Sequence, residues 1–122
     1  MTTQEVADKL IAMCRQGQFK EAQKELYIQD AVSIEPEGSI WPSVQGLDKM
    51  HAKVQQWFDG VEEVHSMEIS DPIVAGAYFS YTQKHDITVK GIGRLQSEQL
   101  AVYEVRNGKV VREQFFADMP EL

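Results

Sequence analysis

The chain has 122 residues with 12 Lys and Arg against 19 Asp and Glu, so its net charge is 12 − 19 = −7. Its 43% hydrophobic and 25% charged content is that of one globular domain with an ordinary core, and it excludes wholesale disorder. The acid excess argues against nucleic-acid and anionic-membrane partners, because phosphate binding runs on Lys and Arg.

In chain order, helices come first. Thr2 with Glu5 three residues on is a capping box, Val6, Leu10, Met13 and Cys14 recur at helical spacing, and Gly17 is the stop. A second helix spans Phe19 to Tyr27, with Phe19, Ala22 and Leu26 on one stripe. Ala31 to Glu35 alternates with period two and Pro36 ends it, so this is a short strand. Glu37 to Gly46 reads as a loop. Leu47, Met50, Val54, Trp57 and Phe58 mark a third helix closed by Gly60.

Strands follow. Val64 to Ser70 alternates until Asp71-Pro72, and Ala75 to Ile87 is rich in aromatics and Thr. Gly91 and Gly93 mark a turn, and Leu95 to Arg106 is a long strand. Asn107-Gly108 signals a type I′ hairpin into Lys109 to Phe116. Helices first and long strands afterwards give an α+β class, a curved antiparallel sheet wrapped around three N-terminal helices. Residues 1–122 form a single domain without repeats.

One cysteine, Cys14, rules out an internal disulfide and reads as a buried helix residue. Residues Met1 to Glu5 carry no basic region followed by an apolar stretch, so no signal peptide is expected, nor does any apolar run approach a membrane span; a cytoplasmic location follows. His51, His65 and His85 share no metal-ligand spacing, so no metal and no cofactor are expected.

The order of elements resembles the nuclear-transport-factor-2-like superfamily. Two stretches carry the likeness. Tyr27 to Gly38, followed by Gly46, is similar to the segment of ketosteroid isomerases in which an acid-Pro pair ends the first strand. Val102 to Phe116 is similar to the closing hairpin of SnoaL-like polyketide cyclases and ketosteroid isomerases. The resemblance implies a cone-shaped, cystatin-like α+β barrel, a small apolar ligand in its mouth, and a dimer. It covers isomerases, cyclases, dehydratases, epoxide hydrolases and non-catalytic binders, so activity has to be argued from the site.

By that match Glu35 stands where the isomerases hold their general base, an Asp before Pro. A carboxylate at the rim of an apolar cavity has its charged form disfavoured and becomes a useful base. The other reading is a solvated strand-end residue beside Glu37. Glu113 shares a strand face with Val111 and Phe115, and by the match that face looks into the cone; Val110, Arg112, Gln114 and Phe116 share the other. The competing reading is a surface Glu paired with Arg112 or Arg94. Two carboxylates in one cavity would divide into an acid and a base.

The isomerases' two oxyanion donors match Leu10 and Ala101, so steroid isomerisation by their mechanism is not expected. Gln99, Ala101 and Tyr103 share the inward face of the preceding strand, and Tyr81, Gln83, Gln99 and Tyr103 are candidates for substitute hydrogen bonds or for a self-satisfied polar core. Trp57, Phe58, Phe79, Tyr81 and Phe115 are expected to line the cavity, His85 to reach its rim, and Trp41 to cap its mouth or meet a partner. The expected occupant is a small, largely apolar organic molecule. Catalysis would be cofactor-free proton transfer by Glu35 and Glu113; the alternative is a non-catalytic binding or dimerisation module. The outer sheet face with Tyr78, Val102, Gln114 and Phe116 is expected to pair two copies.

Overall fold

A computed structural model describes residues 1–118. Helix α1 (Thr3–Arg15) begins at the expected capping box: the Glu5 amide donates to Thr2 Oγ1 at 3.1 Å and the Thr2 amide to Glu5 Oε1 at 2.9 Å. Val6, Ala7, Leu10, Ile11 and Cys14 form its buried stripe. Gly17, at φ +75°, lets the chain reverse into α2 (Phe19–Leu26). Tyr27 opens strand β1 (Tyr27–Ile34) and does not close the helix as its sequence neighbours suggest. A two-residue strand β2 (Val44–Gln45) lies in the loop before α3 (Leu47–Gly60).

The remainder is sheet: β3 (Val61–Ile69), β4 (Ile73–Ala75), β5 (Tyr78–Val89), β6 (Gly93–Arg106) and β7 (Lys109–Phe116). The seven strands run β2-β1-β7-β6-β5-β3, with β4 also pairing β5. The sheet is curved and stays open, since β2 and β3 at its two ends do not pair. It departs from a wholly antiparallel sheet at one seam, where β1 runs parallel to β7. Asn107 (φ +52°) and Gly108 (φ +76°) form the expected hairpin turn. Among the described residues no helix is long and apolar enough to cross a membrane.

Packing follows from the rows that cross the inner face. Ser33, Glu113, Tyr103, Phe79 and Val74 are successive cross-strand partners, and Phe115, Ala101 and Tyr81 form the next row. The first row meets the buried stripe of α1 in one core, with Phe79 and Tyr103 stacked at 4.7 Å and an interplanar angle of 2°. A bulge falls between Glu104 and Val105, where the partner on β7 jumps from Arg112 to Val110. The extra residue, Val111, breaks the period-two alternation. Val110 is therefore fully buried on the same side as Glu113, and the expectation that Val111 would share that face is corrected.

Candidate functional site

Between the helices and the inner sheet face lies a cavity of about 210 Å³ with mostly apolar walls. Glu35, placed just past the end of β1 by Pro36, is on its wall. The Glu35 amide donates to Ser43 Oγ at 2.8 Å, which ties the following loop to the strand end. Lys53 reaches Glu35 from the buried face of α3: its Nζ donates to Glu35 Oε1 at 3.1 Å and to Ser33 Oγ at 2.6 Å. The side chains of Lys53 and Glu35 are only 10% and 11% exposed, so this pair is shielded from water. Burial raises the Glu35 pKa above its ordinary 4.5, Lys53 opposes that rise, and Glu113 adds to it.

Glu113 is buried on the same wall and is not a surface residue. Tyr27 donates its hydroxyl to Glu113 Oε2 at 2.6 Å. Arg112 bonds Gln114 and Arg94 bonds Asp86, so neither expected surface partner is used. Burial, and then the Glu113 charge, holds the Tyr27 hydroxyl well above its ordinary pKa, so it stays a donor. Deeper in, the hydroxyls of Tyr81 and Tyr103 share a 2.8 Å hydrogen bond and their rings stack at 5.6 Å. Two further rungs rise toward the rim: Gln99 Nε2 donates to Gln83 Oε1 at 3.2 Å, and Ser97 Oγ lies 2.7 Å from His85 Nε2. Burial lowers the His85 pKa and favours the neutral ring.

Trp57 and Phe115 line the cavity, as does Trp41, whose ring reaches the Gly60 end of α3. Three expected lining residues are elsewhere. Phe79 and Ala101 are fully buried in the core and do not reach the cavity. Phe58 points outward at 47% exposure, its ring edge-on to Trp57, because the helical stripe bends toward Lys53 instead. Leu10, at an oxyanion-donor position by the resemblance, is also in the core. Cys14 does touch the cavity, and burial pushes its thiol pKa up to about 12, so it is no nucleophile.

Sequence reasoning missed Lys53, Ser33 and Tyr27. Lys53 stands three residues after Met50 and four before Trp57, a charge on the apolar stripe, and that was its signal. Ser33 has the parity of Ala31 and Glu35. Tyr27 carried no signal once the helix was extended over it. Among the described residues no three His, Cys, Asp or Glu side chains are grouped to hold a metal ion.

The model of the SnoaL-like domain matches residues 1–117. The chain belongs to the SnoaL-like domain family. Among solved structures, this SnoaL-like chain is similar to a Mesorhizobium loti protein whose description gives both a SnoaL-like polyketide cyclase and a carbohydrate phosphatase. The two share 29% identity, with 95% of this chain and 99% of that one covered and a TM-score of 0.88. An NTF2-like protein from Burkholderia thailandensis is 15% identical over 97% and 92% of the two chains, TM-score 0.85. A protein from Jannaschia described as a SnoaL-like polyketide cyclase is 16% identical over 96% and 87%, TM-score 0.75. Curated proteins give no match.

Proposed function

We propose that this SnoaL-like domain binds a small, largely apolar organic molecule in its cavity and catalyses cofactor-free proton transfer at carbon, of the cyclase, isomerase or dehydratase type. The observation that carries this reading is Glu35: a carboxylate on an apolar cavity wall, its pKa raised by burial, held by Lys53, which also donates to Ser33. Glu35 takes a proton from carbon next to a carbonyl, and the charge that develops on the carbonyl oxygen needs a donor. Two are at hand. The Lys53 ammonium has three N–H groups and uses two on Ser33 and Glu35. The Tyr81–Tyr103 pair has two hydroxyl protons and uses one in its mutual bond. Glu113, hydrogen-bonded to Tyr27 on the same wall, is the partner acid–base group. The description of the Mesorhizobium loti protein as a polyketide cyclase supports the cyclase branch.

The test is hydrogen–deuterium exchange at the carbon next to the carbonyl of cyclic ketones such as indanone and tetralone, followed by NMR in D2O. The wild-type protein is expected to exceed Glu35→Gln by about 10²–10⁴-fold. Equal rates would remove Glu35 as the base. A wild-type protein that binds the ketones without exchange would establish the second reading, a binder without chemistry. That reading is favoured by the burial of apolar Leu10 and Ala101 at the isomerases' donor positions.

A further inference from the structure

One polar side chain on the cavity wall has no role in the proton transfer and no neighbour to satisfy it. Gln23, on the inward face of α2, is only 6% exposed, and its Oε1 is buried without a hydrogen-bond partner. The facing sheet repeats the pattern. His85 Nε2 is engaged by Ser97, while its Nδ1 is buried and unpartnered, also on the cavity wall. Of the three such atoms among the described residues, these two belong to cavity-lining residues, while His51 Nε2 on α3 does not. An amide oxygen left bare in this way is destabilising, so a donor arriving with an occupant is its natural complement.

Charge and size narrow the occupant. Inside, the Lys53 ammonium is paired with Glu35 and the Glu113 carboxylate is hydrogen-bonded to Tyr27, so no inner cation is free to balance an anion. At the mouth, Glu37, Glu98 and Asp118 line an adjoining depression with Glu35, which repels anions. The 210 Å³ volume is below the roughly 300–1,000 Å³ of pockets for drug-sized ligands, so one or two rings fill it.

Resting on the reading of the cavity as a small-molecule site, we propose that it selects an uncharged alcohol or phenol built on one or two rings, whose O–H donates to Gln23 Oε1. Gln23 is then a specificity-determining residue, and the ring lies against Phe19 and Trp57, which pack edge to face beside it.

The experiment uses three probes of nearly one shape: 5-indanol, 5-methoxyindane and indane. Each is titrated into the whole chain and followed by amide chemical shifts and calorimetry. 5-Indanol is expected to bind about tenfold more tightly than the other two, as one hydrogen bond to a buried neutral acceptor allows. Gln23→Leu is expected to bring the three within about twofold, while Gln23→Glu, which keeps an acceptor, retains the preference. The Gln23 side-chain amide resonance should shift with 5-indanol and not with indane, a readout that needs no variant. Equal binding of all three to the wild-type protein, or a preference that survives Gln23→Leu, overturns the inference and leaves the small-molecule cavity standing. If none of the three shifts any cavity amide, both readings fall.

Discussion

Replacing Lys53 by Met keeps most of the apolar stem and removes the charge together with the donors to Glu35 and Ser33. In the wild-type protein Lys53 and Glu35 meet at 3.1 Å with about a tenth of each side chain exposed. Taking one partner from such a buried pair typically costs about 3–5 kcal/mol, because the other charge is left uncompensated. Glu35 has an escape: it can take a proton. Its folded-state pKa is already above the ordinary 4.5, and Lys53 is the group that opposes the rise, so the variant raises it further. An acid whose folded pKa is raised binds more protons folded than unfolded, so its contribution to stability falls as pH climbs from the ordinary value through the folded one.

The slope is about 1.4 kcal/mol per pH unit within that window. Lys53→Met should therefore lose about 3 kcal/mol relative to wild type at pH 8 and about 1 kcal/mol or less at pH 5. Adding Glu35→Gln removes the stranded charge, so the double variant should regain about 2 kcal/mol at pH 8 and little at pH 5. Urea unfolding followed by Trp fluorescence at both pH values gives all four corners of the cycle. Losses equal at the two pH values, or no recovery on adding Glu35→Gln, would refute the account of a shielded pair.

Tyr27→Phe leaves Glu113 without its donor and should cost about 1–3 kcal/mol in the same unfolding assay. A loss near zero would mean that the bond contributes nothing. Phe79→Ala empties a fully buried site stacked on Tyr103 and should cost about 3–5 kcal/mol, whereas Phe58→Ala, nearly half exposed, should cost about 1 kcal/mol. Reversal of that order would contradict the placement of α3. Tyr78, Leu100 and Phe116 are each more than 40% exposed on the outer sheet face, and a homodimer through it should give twice the monomer mass by light scattering, returning to monomer in Phe116→Asp. A wild-type monomer would remove the dimer proposal.

How much of this could be read in advance differs from element to element. The capping box at Thr2, the stripe of α1 and the Asn107-Gly108 turn are local rules, and each stands in the structure as expected. The α+β class follows from such rules, because periodicity depends on neighbours a few residues apart. For Glu35 and Glu113 it is the family resemblance, more than strand position, that points to them, and both reach the cavity wall.

Their partners were not legible. Lys53 meets Glu35 across 18 residues and Tyr27 meets Glu113 across 86, distances over which no periodicity carries information. The bulge at Val111 buries Val110 in place of Val111, and it exists only because β6 and β7 pair with that offset. Phe58 was lost from the cavity for a related reason: the sequence by itself determined that α3 has a buried stripe, while packing against β1 decided that the stripe runs through Lys53. Alternation and helical spacing settle which residues face inward along one element. Which inward groups meet, and what charge one lends another, is decided only when the elements pack.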